Sequence, residues 1–200
     1  MEPVKTYDSF LQRLNEKYGT EDRVVCLLIL DPTNEDAVGK YIYRRYDYFH
    51  ARTGEHLDFF CPGFDREAKK RRFDIRAFVE FVQQVEELSD WKYYGGTNLL
   101  LLQYSEGELR YDRVYDLNFT RMMIDGYITD YKSFIEGFIR GFKDDIDYYI
   151  KKQHLKFQAQ NVWEVVSNFL PKYVETTVKH LSTAVKLGEY FNPKNLEKKD

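Results

Sequence analysis

An α/β domain with a mixed four-stranded sheet, flanking helices and a C-terminal helical extension is the fold class this sequence predicts. Three observations carry it. Val24 to Leu30 is an uninterrupted apolar run of strand length, the pattern of a central strand buried on both faces. Amphipathic helical patterns alternate with short apolar runs along the first part of the chain. Asn98 to Tyr104 and Leu109 to Leu117 then flank the tight turn Ser105-Glu106-Gly107, which reads as a hairpin.

Taken in order, Tyr7 to Tyr18 predicts a short helix, with Phe10, Leu11, Leu14 and Tyr18 at helical spacing and Gly19 as the stop. The strand Val24–Leu30 follows. Residues 34–52 admit two readings. Thr33 as N-cap, with Asp36 three residues on, opens a helix whose stripe is Val38, Ile42, Tyr46 and Phe49, with Gly54 as its C-terminal cap. The competing reading is a hairpin of Lys40–His50 with His56–Phe60, since Tyr-Ile-Tyr and Tyr-Asp-Tyr-Phe are good strand formers. The helix is preferred because its cap and stripe agree.

His56 to Cys61 reads as a short strand ended by Pro62-Gly63. Asp74 to Leu88 predicts an amphipathic helix with Ile75, Phe78, Val79, Val82 and Val85 inward. In the strand 109–117, Leu109, Tyr111, Arg113, Tyr115 and Leu117 should share one face. Asp130 to Lys152 predicts a long helix burying Phe134, Ile135, Phe138, Phe142, Ile146 and Tyr149. Two further helices, 161–170 and 171–187, complete the extension, with Pro171 suited to a first turn. The domain reading is therefore an α/β unit over 1–153, helices over 154–190 and a disordered tail over 191–200.

A strand, a crossover helix and a second strand make a parallel pair, and the last two strands an antiparallel hairpin. This βαβ–α–ββ–α order over residues 24–150 resembles the thioredoxin-like arrangement. That resemblance is topological. A CxxC opens the first crossover helix in that family, where this chain has Thr33-Asn34-Glu35-Asp36. A proline precedes the family's third strand, where this chain has Gly95-Gly96-Thr97. Disulfide chemistry is not implied.

The chain of 200 residues carries a net charge of -3, which offers no general attraction for nucleic acid. Lys69-Lys70-Arg71-Arg72 is a local basic run and reads as a solvated loop. No stretch approaches the length of a membrane span, and the N-terminus lacks the pattern of a secretory signal. Cys26 and Cys61 form no CxxC, so a reducing, cytoplasmic setting is expected. The 17 Tyr and 15 Phe are a mild argument for a recognition surface, because tyrosine joins an apolar body to a polar tip.

Chemistry-bearing residues concentrate between Tyr41 and Phe64. His50, His56, Asp58 and Cys61 are all competent metal ligands, and His56 and Asp58 would project from one face of an extended segment. Cys61 beside His50 or His56 is a candidate nucleophile. Gly95-Gly96-Thr97-Asn98 runs into a strand rather than a helix, which suits a phosphate poorly. The acidic loop Asp31–Asp36 would repel anions and suits capping. Tyr41, Arg44, Arg45, Tyr48 and Arg52 lie off the apolar stripe, and Arg with Tyr is the pairing enriched in binding hot spots.

No complete catalytic constellation is visible. The expectation is a non-catalytic binding protein that uses the Arg/Tyr surface of the first crossover helix and the 56–64 segment. Its partner would be another protein or a second copy, with no cofactor, no membrane and no nucleic acid. The alternative is an enzyme or ligand sensor built from His50, His56, Asp58 and Cys61, with or without a metal.

Overall fold

The computed structural model describes residues 1–33, 36–51, 58–65 and 72–140. Arg52 and His56 therefore lie outside the described residues, as do the part of the expected helix 130–152 beyond 140, the expected extension over 154–190 and the expected tail over 191–200. The described chain is a mixed α/β fold built on one mixed sheet with helices on both faces.

The sheet has five strands rather than four, in the order β1-β3-β2-β6-β7. The added strand is β1 (Glu2–Val4), which pairs in parallel with β3 (Asp58–Pro62). Three residues with a central proline show no period of two, so sequence pattern passes over them. β2 (Arg23–Ile29) runs parallel to β3 and antiparallel to β6 (Asn98–Ser105), and β7 (Glu108–Asn118) closes the hairpin with β6. A minor ribbon joins β4 (Phe64–Asp65) to β5 (Arg72–Phe73).

β2 explains its own apolar run. Val24, Cys26 and Leu28 enter the core on one face of the sheet, and Val25, Leu27 and Ile29 enter the core on the other. Helix α1 (Tyr7–Tyr18) covers the second face with Phe10, Leu14 and Tyr18. Its start is a capping box in which the Ser9 N–H donates to Thr6 Oγ1 at 3.2 Å and the Thr6 N–H to Ser9 Oγ at 3.0 Å. Helix α4 (Ile75–Leu88) lies on the same face, capped by the Asp74 carboxylate.

The inward stripe of α4 differs from expectation. Ile75 and Val79 are each 44% exposed, while Ala77, Phe78, Phe81, Val82 and Val85 are buried. Phe78, Val82 and Val85 belong to both stripes; the helix takes the rotation that exchanges Ile75 and Val79 for Ala77 and Phe81, and so sets the Phe81 ring 5.5 Å from those of Tyr7 and Phe10 on α1.

The expected helix over 34–52 is two helices, α2 (Ala37–Arg44) and α3 (Tyr46–His50), on the opposite face of the sheet. The cap is Asp36, whose carboxylate accepts from the N–H groups of Val38 and Gly39, both at 3.1 Å. Thr33 instead turns back on Asp31, its N–H donating to Asp31 Oδ1 at 2.8 Å. The predicted stripe holds, since Val38, Ile42, Tyr46 and Phe49 are buried. Helix α5 (Phe119–Ile124) and the helix that begins at 131 pack on this face too, burying Phe119, Met122, Phe134, Ile135 and Phe138.

β7 does not keep one face inward. Leu101 stands opposite Tyr115 but Gln103 stands opposite Arg110, so a bulge interrupts the ladder. Leu109 and Tyr111 then pack on the α1/α4 side, while Tyr115 and Leu117 enter the core on the α2/α3 side. A bulge shifts the parity of a strand, and the alternation in sequence continues straight through it.

Candidate functional site

The α2–α3 joint is where four of the five expected binding residues, Tyr41, Arg44, Arg45 and Tyr48, lie. Arg45 leaves helical geometry at φ −109° and ψ 21° and separates the two helices. Its N–H still reaches the carbonyls of Tyr41 (3.2 Å) and Ile42 (3.1 Å), and its own carbonyl accepts from the Phe49 N–H at 3.0 Å. The joint therefore turns without losing the hydrogen bonds on either side, and it sets the Arg45 side chain between two tyrosines.

The guanidinium carbon lies 5.2 Å from the Tyr41 ring centre and 5.6 Å from that of Tyr48, both within cation–π range. Arg45 Nη1 donates to Glu136 Oε1 at 2.8 Å, and Tyr41 Oη donates to the same oxygen at 2.5 Å. Burial, then the hydrogen bond to Glu136, pushes the Tyr41 phenol up to about 12, so it remains a donor at neutral pH. Tyr131 packs edge-on against Tyr41 with ring centres 5.7 Å apart. Arg45 is still 49% exposed at its side chain, and Arg44 is exposed beside it. Four of the five expected binding residues thus share one surface, and Glu136 is the participant that sequence reasoning missed. Nothing in the local pattern marks Glu136, which lies in the expected helix 130–152 off its apolar stripe.

The His/Asp/Cys candidates have other surroundings. Cys61 is fully buried in the core beside Phe59 and Phe64, closed to any substrate that must approach from solvent. Phe59, Phe60 and Phe64 are equally buried, so the described part of the 56–64 segment offers little surface. Asp58 accepts from Tyr18 Oη and Lys17 Nζ, one to each carboxylate oxygen, and so ties α1 to β3. His50 is exposed on α3, with Nδ1 2.6 Å from the Met1 amine. Among the described residues no group of three or more His, Cys, Asp or Glu is arranged to hold a metal ion. Burial also raises the Cys26 thiol far above its ordinary value. Cys26 faces Phe59 across the ladder, two residues short of Cys61. That diagonal spans about 7–8 Å between Cα atoms, too long for a disulfide, and the two cysteines are not bridged.

The two loops judged poor as ligand sites are joined to each other. Thr97 Oγ1 donates to Asp36 Oδ2, which also accepts from Gly39. The Thr97 N–H donates to Thr120 Oγ1 at 2.8 Å, and the Thr97 carbonyl accepts from the Phe119 N–H at 2.9 Å. Asp36 (8% exposed) and Thr97 (fully buried) thus lock the start of α2 to the start of β6 and to α5. The Tyr93 phenol, which donates to the Gly96 carbonyl at 2.9 Å, is pushed up to about 12 by burial and then by the Asp31 and Asp36 charges. This arrangement holds the fold together with its polar groups satisfied, as buried groups require.

No family model matches the chain, and neither the curated proteins nor the solved structures include a match to it. No helix among the described residues is long and apolar enough to cross a membrane.

Proposed function

We propose that this is a non-catalytic binding protein and that the α2–α3 joint is its recognition surface. The observation that carries the reading is the half-exposed Arg45 guanidinium held between Tyr41 and Tyr48. Stacking fixes the guanidinium in place before any partner arrives, which lowers the ordering cost of binding. Arginine and tyrosine are the side chains that dominate binding energy at protein interfaces. The partner is another protein or a second copy of the chain.

The strand order β3-β2-β6-β7, a parallel pair extended by an antiparallel hairpin, supports a thioredoxin-like reading of the topology, with β1 and α1 placed before it. The two redox landmarks are absent from the sequence, so no disulfide exchange is proposed.

The test is a double variant, Arg45→Ala with Tyr48→Ala, compared with wild type by cross-linking capture and thermal unfolding. Captured partners should be lost while stability falls by only about 1–2 kcal/mol, the scale of exposed cation–π and ion-pair contacts. An unchanged set of captured proteins would sink the reading.

A further inference from the structure

The recognition surface already holds a carboxylate. Arg45 and Tyr41 aim their donors at one oxygen of Glu136, which arrives from the helix that begins at 131. Around that carboxylate the charges are mostly cationic. Lys40 and Arg44 lie one turn apart on α2, and no carboxylate among the described residues pairs with either. Lys132 and Arg140, both exposed, stand one turn before and one turn after Glu136 on its own helix. Asp47 on α3 and Asp130, which caps the Glu136 helix, are the other acids among the described residues there. In a chain whose net charge is -3, the cations Lys40, Arg44, Arg45, Lys132 and Arg140 outnumber the acids on this surface, and Glu136 lies at its centre.

We infer that the partner of this surface presents a carboxylate-rich peptide segment, and that Glu136 occupies the place of one partner carboxylate in the unbound chain. The inference rests on the α2–α3 joint being the recognition surface, and it names the chemistry of what binds there. The Glu136 side chain is 31% exposed and that of Arg45 49%, so their contact is of the exposed kind that costs little to exchange. An incoming carboxylate keeps both donors satisfied, and it gains Lys40 and Arg44, which pair with no acid among the described residues. Occupation by Glu136 lowers the fraction of chains that are competent to bind, and so weakens apparent affinity by that fraction.

The experiment uses the full chain and a fluorescein-labelled oligoglutamate peptide, read by fluorescence anisotropy at low ionic strength, with oligolysine as the opposite probe. Wild type should bind oligoglutamate and not oligolysine, with affinity falling as salt rises. Glu136→Gln should tighten binding by up to about fivefold, the equivalent of one exposed ion pair. Arg45→Ala should abolish it. Arg44→Glu, at an exposed residue with no ion pair among the described residues, should weaken binding if Arg45→Ala does not fold. Arg76→Ala on α4, across the sheet, should leave it unchanged.

Unaltered affinity in Glu136→Gln would overturn the internal-carboxylate role, as would equal losses in Arg76→Ala and Arg45→Ala. Absence of oligoglutamate binding in every variant would overturn the acidic partner. If the Arg45/Tyr48 double variant still lost its captured proteins, that failure would belong to the partner's chemistry and not to the recognition surface itself.

Discussion

Single side chains hold this structure at points where two elements meet. Gly39 illustrates the constraint. A Cβ there would lie 2.9 Å from Thr97 Oγ1 and 3.0 Å from Asp36 Oδ2, inside the lock between α2 and β6. Alanine gains up to about 1 kcal/mol of helix propensity over glycine. Overpacking in a closed site costs about 1–3 kcal/mol, so the clash wins. Gly39→Ala should therefore lower the thermal midpoint, and an unchanged or raised midpoint would show that the lock yields. Gly96 is tighter still: its φ is +74° and a Cβ would meet Thr120 at 2.5 Å. Helix caps add a dependence on acid. The Asp74 carboxyl is held below its ordinary value by the Ala77 N–H and then by Lys5, and the Asp130 carboxyl by Ser133. A depressed carboxylate lends its stability in full above the unfolded value of about 3.9. That stability is lost as pH falls through the lower folded value. Unfolding midpoints of Asp74→Asn measured from pH 6 to pH 2 (about the carboxylate range) should fall less steeply than wild type; parallel curves would remove the cap's role in acid sensitivity.

Elements are oriented by their largest side chains and interrupted where pairing changes. Phe81 on α4 is buried while Val79, two positions earlier, is 44% exposed. Phe81→Ala should cost about 3–5 kcal/mol, and Val79→Lys should be tolerated within about 0.5 kcal/mol. Equal losses in denaturant titrations of the two would contradict a rotation of α4 that buries Phe81 and exposes Val79. The two outer strands share a property as well. β1 carries Pro3, which has no N–H to offer a further strand, and β7 is broken by its bulge between Arg110 and Tyr115. Proline and bulges are both means by which sheet edges resist strand addition. A second copy would therefore have to use a helical face. Any dimer observed by native mass spectrometry should give no cross-link between the Lys5 residues of two copies; such a link would show edge pairing at β1.

At the scale of the whole molecule, the sheet divides the described chain into two cores. The α1/α4 side is closed by Phe10, Phe78 and Phe81 and carries structure. On the α2/α3 side the elements with exposed Arg and Tyr rest on Phe49, Phe119, Phe134 and Phe138. The helix that begins at 131 is both a lid on that core and the donor of Glu136. Under the proposed function, binding at the joint would be coupled to the seating of this helix, because Glu136 contacts both Tyr41 and Arg45 from it. Partner binding that displaces Glu136 should raise amide exchange at 131–140 more than at α1. Exchange that stays level across both segments would uncouple them.

The amino-acid sequence by itself determined the class, most of the elements and the cluster of binding candidates. Val24–Leu30, Tyr7–Tyr18 and the 98–117 hairpin were legible because apolar period is a local property, set by which faces a strand or helix buries. Tyr41, Arg44, Arg45 and Tyr48 were legible because they stand off the buried stripe. Tertiary structure alone decided the rest. β1 exists only because β3 offers an edge to three residues too short to show a period. The face of β7 switches because a bulge forms against β6. Helix α4 rotates because burial of Phe81 outweighs that of Val79. Cys61 is closed to solvent because β3 is covered on both sides. Glu136 reaches Arg45 from 91 residues away. Spacing along a chain reports what one element can do, and it holds no record of which distant group will face it once the elements pack.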